Sequence, residues 1–181
     1  MVTSAELLSV AAFADGLHAQ AFPTFGSERT GAPVVSFCRI DERPIRAREP
    51  IDAPDAIVVG DPTLLHQVDV FGGLDEQGYL LVNSTRSFAE LGISEVADRL
   101  PAGRAQTVPA SGLAREHLGR PLPNAALLGG IAALTGRVTM PSLAKAIAER
   151  FGSGAMGSGN AAAAQACFDL IAGRVGVAAN A

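Results

Sequence analysis

Tryptophan is absent from the 181 residues, Tyr79 is the single tyrosine, and Lys145 is the only lysine among 14 basic residues. With so few large rings, a core must be packed from Ala, Leu, Val and Ile. Cysteine is nearly absent too: Cys38 and Cys167 show no CxxC spacing and cannot frame a disulfide scaffold, so a reduced intracellular chain is expected. Two thiols with His18, His66 and His117 scattered along the chain cannot supply the four ligands of an iron–sulfur cluster. No two histidines stand at i, i+4, which excludes the commonest helical metal site. No apolar run reaches the roughly 20 residues of a membrane span, and no basic, apolar and small-residue leader follows Met1. A soluble, cytoplasmic protein is expected. The net charge of −4, with no dense basic run, argues against nucleic-acid binding.

What is present is an ordinary globular composition, 48 % hydrophobic and 18 % charged. Thr3 and Glu6 have capping-box spacing before Leu7, Leu8, Val10, Ala11 and Phe13, predicting a first helix to Ala14 buried over most of its surface. Asp15-Gly16 ends it. A short segment through Ala19 and Phe22 is expected to break at Pro23. Val34 to Ile40 reads as a strand, with Ile45 to Arg48 as its hairpin partner; Ala56–Val59 and Tyr79–Asn83 read as strands buried on both faces. Asp61 caps a helix with Pro62 in its first turn. Residues 84–103 are weakly patterned, and 106–108 suggest another strand. Helices are expected over 111–118, 123–135, 141–151 and 160–172. Gly152 to Gly159 reads as a flexible Gly/Ser joint. The expected organisation is a domain over 1–151, followed by this joint and a C-terminal helix over 152–181. Buried strands alternating with helices imply an α/β fold, Rossmann-like, with a mainly parallel sheet flanked by helices and a helical C-terminal third.

Several features imitate catalytic motifs. Gly60-Asp61-Pro62 followed by Asn83 suggests a Mg-diphosphate grip, but Pro62 removes the N–H that a phosphate-facing loop needs, and a helix cap accounts for Asp61. Gly152-Ser153-Gly154 and Gly157-Ser158-Gly159 lack the strand context of a nucleophile elbow. His66 reads better as a packed or surface histidine than as a base, and Asp75-Glu76 as a solvated turn. Arg39, Arg43, Arg46 and Arg48 fit either an anionic ligand or, better, a solvated face. No catalytic or metal-binding residue is assigned.

The informative stretch runs from Gln20 to Pro33, Gln-Ala-Phe-Pro-Thr-Phe-Gly-Ser-Glu-Arg-Thr-Gly-Ala-Pro. It closely resembles the signature loop of gamma subunits of pyruvate-type 2-oxoacid:ferredoxin oxidoreductases, a group that includes phenylglyoxylate dehydrogenase-like complexes. Arg43-Pro44-Ile45-Arg46, Pro54 to Val59, Asp61 to Leu65, Leu118-Gly119-Arg120-Pro121 and Asn124 to Gly129 are similar to further family segments in the same order, over residues 2 to 151. Leu127 stands where the family usually has Met. The family usually begins with a strand and a Gly-x-Gly-Gly-x-Gly turn ahead of the first helix; both are missing here, and a start upstream of Met1 is the expectation.

The resemblance implies a subunit with no turnover alone, inside a complex that oxidatively decarboxylates a 2-oxo acid, pyruvate or an aryl acid such as phenylglyoxylate, to the acyl-CoA. Partner subunits would hold thiamine diphosphate, Mg2+ and [4Fe–4S] clusters: a thiamine-binding subunit, an alpha-type subunit, a two-cluster ferredoxin-like subunit and, where NAD is the acceptor, a flavin subunit. This chain would contact coenzyme A through Ser27, Glu28, Arg29, Thr30, Gly31 and Asn124. Arg29 offers a planar fork to phosphate, Gly31 permits close backbone approach, and Asn124 stands at a helix start. The other reading is a purely structural interaction module of the same complex.

Overall fold

In the computed structural model, residues 2–24, 34–47 and 49–178 are described. The elements run α1 (Val2–Ala14), β1 (His18–Thr24), β2 (Val35–Asp41), β3 (Ala56–Val59), a 3-10 turn (Pro62–His66), β4 (Tyr79–Asn83), α2 (Ser94–Arg99), β5 (Ala105–Val108), α3 (Ala110–Leu118), α4 (Asn124–Thr135), α5 (Met140–Phe151) and α6 (Ala155–Ala178). The fold is the expected α/β arrangement of a mainly parallel sheet with flanking helices. No helix among the described residues is long and apolar enough to cross a membrane.

β3, β4 and β5 form a parallel sheet in that order, with Val58 opposite Leu81 and Leu81 opposite Gln106. Leu80, Leu81 and Val82 on the central strand are fully buried, which is why their run is continuously apolar rather than alternating. On one face, Leu80 and Val82 meet Leu65, Leu91 and Ile93. On the other, Leu81 joins the main core with Leu7, Leu127, Leu143, Ile147 and Ile171.

β1 and β2 form a separate antiparallel ribbon, pairing Phe22 with Phe37 and Thr24 with Val35. This corrects two expectations. Pro23 does not break the segment: it lies within β1, opposite Ser36, as a ribbon edge allows because an outward-facing position needs no N–H. The partner of β2 is β1, not Ile45 to Arg48. Residues 44–47 form no ladder, and Arg48 lies outside the described residues.

Three further corrections concern helices. α1 starts at Val2, so Thr3 lies inside its first turn rather than capping it. It buries Leu7, Ala11 and Ala12, but Val10 is 44 % and Phe13 75 % exposed, so the helix hides one face, not most of its surface. Gly152 to Gly159 is not a continuous joint: α6 begins at Ala155. Gly157 and Gly159 serve close approach, because a Cβ on Gly157 would strike the Gly152 carbonyl and one on Gly159 the His117 carbonyl. The weakly patterned stretch hides α2, preceded by a turn in which Glu90 Oε2 accepts from Ser87 N and Ser87 Oγ at 2.8 Å.

α4 is the central helix. Its Gly129 packs against the Ala164 backbone of α6, and its Gly130 against Cys167 Sγ and Leu81 Cδ2; an added Cβ would overlap both. Gly129 therefore sets the distance between α4 and α6, and Gly130 that between α4 and the sheet.

Candidate functional site

The C-terminal edge of a parallel sheet is where α/β proteins commonly bind ligands, because helix N-termini and loop backbones converge there. Here that edge is occupied by structural bonds. Asn83 ends β4 with 9 % exposure. Its Nδ2 donates to Gly60 O and to Ser111 Oγ, both at 2.9 Å, and its Oδ1 accepts from Ser111 N at 3.1 Å. One amide thus ties the ends of β3 and β4 to the first turn of α3. Asp61 Oδ1 accepts from Thr63 N at 2.9 Å and Thr63 Oγ1 at 2.7 Å, and these bonds hold its carboxyl below the ordinary range. The cap reading of Asp61 is therefore the right one, although the helix it opens is a short 3-10 turn. Asn83 and Asp61 are anchors, and the Mg-diphosphate imitation ends there.

The ribbon brackets the segment that carries the signature. Thr24 and Val35 are register partners, so the two ends of the connecting segment leave the ribbon side by side. Below them Phe22 and Phe37 pack with ring centroids 5.4 Å apart, and the Arg39 guanidinium lies 5.5 Å from the Phe22 ring centroid. Val34 and Val35 at the loop base are about half exposed, at 52 % and 48 %. The expected ligand residues Ser27, Glu28, Arg29, Thr30 and Gly31 lie outside the described residues. Asn124 is where the sequence puts it, the first residue of α4 after Pro123, and its side chain makes no hydrogen bond among the described residues.

The arginine cluster separates by role. Arg39 Nη2 donates to Glu49 O at 2.7 Å and Pro50 O at 3.3 Å, pinning the segment after β2. Arg43 and Arg46 are exposed, as a solvated face requires. Burial pushes both the Cys38 and Cys167 thiols up to about 12, so neither is a nucleophile at neutral pH. Among the described residues, no group of His, Cys, Asp and Glu is placed to hold a metal ion.

The comparisons with known proteins decide the assignment. Residues 1–170 match the profile of the pyruvate ferredoxin/flavodoxin oxidoreductase family. The chain belongs to that family. Within it, the chain is 47 % identical over 168 residues to the pyruvate/ketoisovalerate oxidoreductases common subunit gamma of Thermococcus kodakarensis, covering 93 % of this chain and 89 % of that one. It is 46 % identical, with the same coverage, to pyruvate synthase subunit PorC of Methanothermobacter marburgensis. Its fold superposes on the crystal structure of pyruvate oxidoreductase subunit PORC from Thermotoga maritima with a TM-score of 0.75 and 30 % identity, covering 93 % of this chain and 88 % of that one. In this member of the pyruvate ferredoxin/flavodoxin oxidoreductase family, the signature segment follows β1 and precedes β2, and its residues 25–33 lie outside the described residues. Sequence reasoning missed the Asn83 anchor and the exposure of Val10 and Phe13. Only a polar residue ending an otherwise apolar strand signalled the first.

Proposed function

We propose that this chain is the gamma subunit of a CoA-acylating 2-oxoacid:ferredoxin oxidoreductase, inactive alone. The segment between β1 and β2 forms the coenzyme A-facing side of a partner subunit's thiamine site. Pyruvate is the favoured 2-oxo acid; an aryl acid such as phenylglyoxylate, with a flavin subunit passing electrons to NAD, is the variant within the same class. The complex works in the cytoplasm, with thiamine diphosphate, Mg2+ and [4Fe–4S] clusters in partner subunits. The observation that carries this reading is the near full-length match to gamma and PorC subunits.

Two physical features support it. At the C-terminal edge of the sheet, Asn83 and Asp61 are committed to internal bonds, as suits a domain that lends structure to a larger complex. The loop base presents Val34 and Val35 to the outside, as a surface meeting another chain would. In this role Arg29 meets a coenzyme A phosphate with a bidentate fork, Gly31 lets backbone approach it, and Asn124 donates from the start of α4; Ser27, Glu28 and Thr30 complete the contact.

The test is reconstitution of the whole complex with Arg29→Glu. A KM for coenzyme A raised by about tenfold or more, with assembly intact, supports the ligand role. Unchanged coenzyme A kinetics with intact assembly assigns the loop to the purely structural role. Turnover by the isolated chain, or a native assembly without thiamine and iron–sulfur centres, overturns the proposal altogether.

A further inference from the structure

We propose that the face shared by α1 and α5 is a self-association surface, on which a second copy of this chain docks about a two-fold axis. The outer side of α1 carries Val10 at 44 % and Phe13 at 75 % exposure. Large apolar side chains this open, three residues apart and so on one helix face, mark a surface that meets another chain. Between them and α5 lies a hollow of about 300 Å³, lined by Val10, Phe13, Ala14, Lys145, Ala146 and Glu149. The small side chains of Ala14 and Ala146 leave the space open. Asp15 accepts hydrogen bonds from Thr139 and Ser142 of α5, which fixes one helix against the other, so the hollow is preformed.

The charges on the rim define the occupant. Lys145 and Glu149 are exposed and stand one turn apart on α5, and neither makes an ion pair among the described residues. Lys145 precedes Glu149, the order that does less to stabilise a helix internally. An occupant of this face must therefore present an apolar knob, with an anion opposite Lys145 and a cation opposite Glu149. The face itself is such an object.

A two-fold axis lying in the face, across α5 between Lys145 and Glu149, lays α5 antiparallel on the partner copy's α5 and α1 on its α1. Lys145 then meets the partner's Glu149 and Glu149 the partner's Lys145, so one axis makes two ion pairs. The same operation carries each Phe13 toward the other copy's hollow, where its ring leaves water. Helices of 13 and 12 residues make a face only about 20 Å long, which puts the dimer at the weak end, with a Kd on the order of 10 µM.

The experiment is sedimentation velocity on the purified full chain over a broad range of concentration. No turnover is measured, so the result is independent of the function proposed above. A reversible monomer–dimer equilibrium is expected. Phe13→Asp should raise its Kd by about tenfold or more, and Lys145→Glu should raise it as well. Lys145→Glu combined with Glu149→Lys should bring it back near the original value, because both pairs between copies return with their signs exchanged. All three side chains are exposed, so an unaltered thermal melt shows that the fold survives each change. Lys145 is the only lysine, and carbodiimide treatment of mixed isotopically light and heavy chains should yield a Lys145–Glu149 cross-link between the two. A chain that stays monomeric throughout overturns the proposal. So does a dimer indifferent to Phe13→Asp, or one that the double exchange fails to restore. Phe13 covered only once the other subunits of the complex are added also overturns it, since the occupant would then be a different chain.

Discussion

Asp15 reaches across 124 positions of sequence to Thr139, accepting hydrogen bonds from Thr139 N and Thr139 Oγ1, each at 2.7 Å. Ser142 Oγ adds a third at 2.6 Å. The residue that closes α1 therefore also supplies a negative charge to the N-terminus of α5, where unpaired amides and the helix dipole favour it.

Asp15→Ala is expected to lower stability by about 1–3 kcal/mol, the usual range for losing a helix cap and charge-assisted hydrogen bonds. Partial burial pushes this carboxyl up, but the bonds from Ser142 and Thr139 outweigh it and leave the group below the ordinary carboxylate range. A lowered folded-state value means the stabilisation is fully present above the unfolded value and fades as pH falls through the folded one. Urea titrations should show the gap between wild type and variant constant near neutrality and closing below about pH 4. A gap unchanged at pH 2.5 would contradict the assignment.

Asn83→Ala removes a side chain that joins two strands and a helix, leaving the Gly60 carbonyl and the Ser111 amide without their partner. Each orphaned buried group costs about 1–3 kcal/mol. The melting temperature should drop by several degrees, and an unaltered melt would show that water replaces the amide without loss.

Gly129→Ala places a methyl group against the Ala164 backbone, which cannot turn aside as a side chain would. Parting α4 from α6 should cost about 1–3 kcal/mol or more. Gly154, whose Cβ would meet open space, is the matched control, and Gly154→Ala should stay within about 0.5 kcal/mol. Chemical denaturation of the two variants side by side checks the difference.

Native Cys38 and Cys167, with thiols pushed up to about 12, should resist iodoacetamide at pH 8 and react only once urea unfolds the chain. Mass spectrometry counts the labels. Rapid native labelling of Cys167, which is fully buried, would mean that α4 and α6 part readily.

The sequence made the sheet most legible where burial is two-sided. Tyr79–Asn83 and Ala56–Val59 are unbroken apolar runs and could be little else. Helix starts marked by a special residue were also legible, as with Asn124 after Pro123. Misreadings arose where tertiary context overrides local chemistry. Pro23 breaks a central strand but not a ribbon edge, and Gly157 and Gly159 signal flexibility in isolation but close packing beside Gly152 and His117. Val10 and Phe13 looked buried because an apolar helix gives no sign of which face lies against its own chain. Asn124 stands where it was placed, and the five loop residues expected to act with it lie outside the described residues.

The bond between Asp15 and Thr139 has a consequence during synthesis. Thr139 and Ser142 must leave the ribosome before Asp15 at the end of α1 finds its donors, and the seat of Gly129 is not built until Ala164 follows. Until then α1 can pack only on the β1–β2 ribbon that follows it, without its later neighbours α4 and α5, a condition under which holdase chaperones engage.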